Sequence, residues 1–146
     1  MTAATPMPAW RSAAPVGHAA PLPAVDQLRV APRDGGWTIT ARVAVDPRNP
    51  NLVGHFPGQP IYPGVFVVET LCQAMAQAVP GAPRLRTVTS IRFLAALLGG
   101  DEMTLTLDVQ PTTPPAPGWA VRGTARRNDD TVTAQLRAVF DAGAGA

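Results

Sequence analysis

Hydrophobic positions along this chain alternate with polar ones in several stretches and run together in one. From Trp37 to Val45 the alternation is strict: Trp37, Ile39, Ala41, Val43 and Val45 face one way, and Thr38, Thr40, Arg42 and Ala44 face the other. A period of two marks a strand buried on one face. Met103, Leu105, Leu107 and Val109 repeat the pattern within Glu102 to Gln110, as do Val132, Ala134, Leu136, Ala138 and Phe140 within Thr131 to Phe140. Thr87 to Leu94 and Trp119 to Arg127 are predicted as further strands, and Leu22 to Val30 as the start of a first strand or a short helix. Turn-forming clusters separate them: Asp34-Gly35-Gly36, Gly99-Gly100-Asp101, the proline-rich Pro111 to Gly118, and Asn128-Asp129-Asp130.

The exception is Val65 to Val79, fifteen residues with no breaker and apolar side chains all round, which predicts a buried helix. Pro63 stands where a first turn would begin, and Pro80-Gly81-Ala82-Pro83 is a sharp stop. One curved sheet covers only part of such a helix, so the remaining cover must come from loops, from another chain, or from both. The pattern predicts an α+β fold: an antiparallel sheet of about five or six strands with one long helix. The 146 residues suffice for one domain, residues 22–141, after an Ala/Pro-rich mobile tail over 1–21 and before a frayed end at 142–146.

Composition narrows the class. Hydrophobic residues make up 46% of the chain, yet no apolar run reaches membrane-spanning length without Glu or Pro. Met1 to Pro21 has neither the charged start nor the apolar core of a secretory signal. With one cysteine, no intramolecular disulfide framework is possible, and a soluble cytoplasmic protein is expected. All twelve basic residues are arginines. A net charge of +2 is too small to argue for nucleic acid and is compatible with an acidic protein partner. The spacing of potential ligands suggests no metal site and no nucleotide loop.

Candidate chemistry lies in and just before the predicted helix. Glu69 is its one ionisable residue, with Val65, Phe66, Cys72 and Gln73 at i−4, i−3, i+3 and i+4, so no cation on the helix neutralises it. A desolvated carboxyl group without a cation favours its protonated form and can then donate to a leaving group. The competing reading is a Glu that points out of the helix into solvent. Gly54 to Gly64 is a loop fixed by Pro57, Pro60 and Pro63 and three glycines, and it presents a second titratable group, His55.

H-F-P-G-x-P-x-x-P-G-V followed by E-x-x-x-Q resembles the active-site segment of 3-hydroxyacyl-acyl-carrier-protein dehydratases of the FabZ/FabA type. His55, Phe56, Pro57, Gly58, Pro60, Pro63 and Gly64 fit that pattern, Glu69 follows His55 by fourteen residues, and Gln73 falls in place after it. A longer opening signature usual in the family survives only as Val25-Asp26. Ile91-Arg92-Phe93 and Gly100-Asp101 match more weakly. The resemblance implies a hot-dog fold, with the sheet wrapped round the helix and two protomers paired edge to edge. The implied reaction is loss of water from a 3-hydroxyacyl thioester to give the trans-2-enoyl thioester, in fatty-acid or polyketide biosynthesis.

By the same resemblance, His55 is the base, Glu69 of the partner protomer is the acid, and the Gly64 N–H holds the thioester oxygen. Phe56, Tyr62 and Gln73 are expected to line or support the tunnel, with helix packing the alternative for Tyr62 and Gln73. The substrate would ride on the phosphopantetheine arm of an acyl carrier protein, and no other cofactor is implied. Two alternatives stay open: a structural or carrier-docking subunit of a heterodimeric dehydratase, and a hot-dog thioesterase. Carrier proteins are acidic, so a cationic docking face is expected. Arginines cluster along the chain at Arg126-Arg127 and at Arg84 with Arg86, which are equally compatible with ordinary solvated arginines.

Overall fold

A computed structural model of the chain describes residues 8–13, 23–48, 62–113 and 117–143. Seven strands and one helix follow in order: β1 (Arg11–Ser12), β2 (Gln27–Arg33), β3 (Gly36–Ala44), α1 (Gly64–Ala78), β4 (Leu85–Phe93), β5 (Glu102–Pro111), β6 (Gly118–Arg127) and β7 (Val132–Asp141). They form one antiparallel sheet in the order β1-β2-β3-β5-β6-β7-β4. The α+β class, the single long helix and the predicted strands are all present. The strand count exceeds expectation by the two-residue β1.

That extra strand comes from the Ala/Pro-rich opening, which was expected to be mobile. Arg11 and Ser12 pair with Leu28 and Gln27, and the Trp10 ring lies under two guanidinium groups, 4.4 Å from Arg29 and 4.0 Å from Arg42. Stacking of two cations on one indole supplies the docking energy that the composition of the segment conceals.

Turn chemistry sets the register. Asp34 and Gly35 both adopt positive φ, +38° and +84°, the geometry of a two-residue hairpin that matches strand twist. Leu28, Ile39, Ala41, Val43, Met103, Leu105, Leu107, Val109, Val121, Leu136 and Phe140 then project onto one face and are buried there with Phe66, Val67, Leu71 and Met75 of the helix. Strand β4 departs from simple alternation. Its register against β7 shifts between Leu85 and Thr87 and again between Val88 and Ser90, so one residue in three turns inward. Two bulges of this kind twist a strand, a common device at a sheet edge.

Within one chain the helix is not enclosed on every side, in line with the expectation that one sheet covers only part of it. Val65 is 67% exposed, Ala76 is exposed, and Glu69 and Cys72 are only half-buried. These four positions recur at helical spacing and form one stripe. A single sheet lies against one side of a helix, and the stripe is the side it does not reach. Among the described residues, no helix is long and apolar enough to cross a membrane.

Candidate active site

Two buried polar residues tether the middle of α1 to the segment before β2. The Ala24 N–H donates to Gln73 Oε1 at 2.8 Å, and Thr70 Oγ1 donates to the Ala24 carbonyl at 2.8 Å. Both backbone groups of one small residue are thus satisfied by the helix. The first bond also orients the Gln73 amide, because its oxygen must accept from Ala24 and its nitrogen must point the other way. Gln73 Nε2 donates to Glu69 Oε1 at 2.9 Å. This bond fixes the carboxyl group of Glu69 through Oε1. None of the four ion pairs among the described residues involves Glu69.

A second feature lies at the helix N-terminus. Pro63 precedes the first helical residue, Gly64, and supplies no side-chain cap, and the first turn holds no acidic residue. Its amides therefore gain no anion from the chain next to them, and the helix dipole favours one there. A cavity of about 450 Å³ opens at this point, lined by Tyr62, Gly64, Val67, Phe93, Leu94 and Leu97 among others. Phe93 and Leu94 are 55% and 48% exposed, unusual for large apolar side chains. The absence of a Cβ at Gly64 matters here: a methyl group would come within 2.6 Å of the Phe93 ring.

The cavity wall after β4 is held from three sides. The Leu94 and Ala95 amides donate to the Thr133 carbonyl at 2.8 and 3.3 Å, and the Tyr62 amide donates to the Leu97 carbonyl at 2.7 Å. Arg127 closes the third side, with Nη1 donating to the Ala96 carbonyl at 3.1 Å, Nη2 to Thr131 Oγ1 at 3.2 Å and Nε to Asp129 Oδ1 at 3.1 Å. Asp129 is lowered to about 2, first by the Arg127 bond and then by the side chain and backbone of Thr131. Its carboxylate therefore persists at mildly acid pH.

Tyr62 is both wall and packing. Its ring meets Phe66 edge-on at 5.6 Å, and its hydroxyl lies 3.3 Å from Thr70 Oγ1 and 3.4 Å from the Phe66 carbonyl. Burial pushes that hydroxyl up to about 12, against the opposing effect of Thr70 and with smaller upward contributions from Asp26 and Glu69. Burial likewise pushes the Cys72 thiol up to about 11, helped by the neighbouring Glu69, so it stays a small apolar residue at neutral pH.

The structure brings Tyr62 and Gly64 together at the cavity and joins Gln73 to Glu69, but it keeps the two groups apart. Glu69 follows Val67, a cavity residue, by two positions, about 200° round the helix. Within one chain the carboxyl group faces the open stripe, away from the cavity. His55 and Phe56 lie outside the described residues. Of the arginines singled out, Arg127 is committed to the wall, while Arg84, Arg86 and Arg126 are exposed. Ala24, Thr70 and Arg127 carry site structure that no local pattern announces, because their partners are distant in sequence; Phe93 had only its weak resemblance to a family position.

A family model described as ApeI-like, ApeI dehydratase, matches residues 31–133, a span that holds His55, Gly64, Glu69 and Gln73. The chain belongs to this dehydratase family. Curated relatives agree. A protein named 3-hydroxyacyl-[acyl-carrier-protein] dehydratase FabZ from Wolbachia sp. subsp. Drosophila simulans is 36% identical over 100 residues, covering 64% of this chain and 68% of its own. Its namesake from Thermomicrobium roseum is 35% identical over 109 residues, 70% of each chain. Among solved structures, the dehydratase heterocomplex ApeI:P from Xenorhabdus doucetiae superposes with a TM-score of 0.59 at 18% identity, over 77% of this chain and 93% of that one. R-hydratase PhaJ1 from Pseudomonas aeruginosa gives 0.60 at 13%, over 77% and 83%. These last two establish the shared hot-dog fold.

Two predictions test the dehydratase site. Tyr62 is the only tyrosine and the chain has no lysine, so tyrosinate absorbance reads this hydroxyl alone. The folded state holds the proton more tightly than the unfolded chain, at about 12 against 10. The resulting stabilisation is complete below pH 10 and is lost as pH rises towards 12, and Tyr62→Phe should flatten that loss. A folded-state midpoint at 10 would refute the buried network. For Gln73, replacement by Leu should cost about 1–3 kcal/mol in denaturant unfolding, because the Ala24 amide is left buried and unpaired. The melting transition of Gln73→Leu should fall accordingly. A Leu variant as stable as wild type would sink the tether.

Proposed function

We propose that this dehydratase removes water from a 3-hydroxyacyl thioester borne on an acyl carrier protein, leaving the trans-2-enoyl thioester. The observation that carries the proposal is the Gln73–Glu69 pair, a carboxyl group oriented by a buried amide and turned to an open face of the helix. His55 takes the α-proton as general base. The electrons of that C–H bond form the new double bond, and the C3–O bond breaks towards oxygen. Glu69 in its protonated form delivers the proton that turns the departing hydroxyl into water. Charge developing on the thioester oxygen is met by the Gly64 N–H at the start of α1, where the helix dipole favours it. Acid–base chemistry of this kind calls for no cofactor beyond the phosphopantetheine arm that carries the substrate.

The two faces of α1 imply how the site is assembled. Gly64 and the cavity lie on one side of the helix and Glu69 on the other, so one chain does not present both to one substrate. A second chain laid on the stripe of Val65, Glu69, Cys72 and Ala76, with β4 pairing edge to edge, completes each site with the partner's carboxyl group and desolvates it. An identical chain suffices. A related, non-identical chain is the second reading, supported by the heterocomplex form of the Xenorhabdus dehydratase. Thioester hydrolysis is disfavoured by the family and by the proline-fixed His55 loop.

Mixing tests the shared site. His55→Ala and Glu69→Gln should each lower turnover by at least about 100-fold while leaving a folded dimer. Unfolding and refolding the two together should restore roughly a quarter of wild-type activity, since half of a random mixture is mixed dimer with one intact site in two. No recovery, under conditions that wild type survives, would exclude a site shared between chains. A wild-type chain that is monomeric and inactive alone, and active with a related subunit, would decide for the heterodimer.

A further inference from the structure

A cluster of positive charge on the described surface is assembled by the sheet, from residues that the chain keeps far apart. Arg122 of β6 and Arg137 of β7 are direct cross-strand partners, and Arg137 is in turn paired with Ser90 of β4. Arg92 of β4 stands one register step away, opposite Gln135. The three guanidinium groups, with Ser90, Thr124 and Gln135, line an open recess of about 460 Å³ on the face of the sheet turned away from the helix. None of the recess residues is acidic. The four ion pairs of the described residues engage Arg33, Arg42, Arg48 and Arg127 and leave these three out. One carboxylate lies at the end of the row: Asp108, opposite Arg122, already 3.8 Å from Arg33 and accepting from Gln110.

Like charges placed directly opposite on neighbouring strands cost stability. Such an arrangement makes physical sense when an anion offsets the repulsion. An open, shallow face with three rigid planar donors suits carboxylates presented by a protein surface. Its position fits delivery to the site. Arg92 and Phe93 are consecutive, so they leave opposite faces of the same edge strand, and Phe93 lines the cavity at Gly64. The strand ends at Phe93, so an arm anchored at the cluster reaches the cavity past the strand end without crossing the sheet.

We propose that Arg92, Arg122 and Arg137 form the docking face for the acidic carrier protein, in place of the Arg126-Arg127 pair that local sequence suggests. This rests on the dehydratase function proposed above. The test is the double variant Arg122→Ala with Arg137→Ala, assayed on a 3-hydroxyacyl carrier protein and on the same acyl group as a small thioester. Exposed charges steer encounter, so kcat/KM for the carrier substrate should fall about tenfold and lose most of its salt dependence. The small thioester should turn over as in wild type. The melting temperature should hold or rise, because the variant removes a like-charge pair. An unaltered carrier substrate, or equal loss on both substrates, would overturn the docking face. Affinity for the carrier without its acyl group, measured by titration calorimetry, needs no turnover. If wild type dehydrated neither substrate yet bound the carrier through these arginines, the docking face would stand and the reaction would fall. Binding of pyrophosphate at the cluster without any binding of carrier would assign it to a small anion and overturn the proposal.

Discussion

Everything at this site depends on the amide of Gln73. Its oxygen accepts from Ala24 and its nitrogen donates to Glu69, so the bond that ties the helix to the start of the sheet is the bond that aims the carboxyl group. A buried amide of this kind is costly unless every bond is made, and for that reason it holds one orientation. Thr70 reinforces the tether from the same helix face by bonding the carbonyl of the same alanine. Both backbone groups of Ala24 are therefore held by the helix that carries Glu69.

The helix separates two requirements that a small domain has difficulty meeting together. Its buried face needs Leu71, Ala74 and Met75 to fill the sheet, while its N-terminus opens on the cavity. Pro63 and Gly64 meet the second requirement, one by starting the helix without a capping side chain, the other by leaving room for the Phe93 ring. The face opposite the sheet carries Glu69 among apolar neighbours. A protein of one chain would expose that stripe at a cost in solubility, and in the proposed dimer a second chain covers it.

Arginine serves four separate purposes in a chain that contains no lysine. Arg29 and Arg42 hold Trp10 by their charge over its ring, Arg127 braces the cavity wall with a forked set of bonds, and Arg42 also approaches Glu102 at 3.7 Å. Arg92, Arg122 and Arg137 stand free of ion pairs on the outer face. The forked set of Arg127 depends on the geometry of guanidinium, which an ammonium does not reproduce.

Much of this architecture is legible in the chain alone. Alternation over Trp37 to Val45 and its counterparts set the strands, because a half-buried strand needs nothing beyond its own period of two. The Pro/Gly loop, His55, Gly64, Glu69 and Gln73 stand out because the relevant spacings are local. The bounds of α1 follow from Pro63 and Pro80. Three things were decided only by tertiary structure. The helix acquired an open face because burial is a property of what packs against it, not of its own composition. Glu69 and the Gly64 cavity fell on opposite sides of α1 because a two-residue offset from Val67 has a direction only once the sheet has chosen a side. Arg126 and Arg127 look alike in sequence, yet one is exposed and the other braces Ala96, while Arg92, Arg122 and Arg137 meet because strand register, set by distant hairpins, places them in one row.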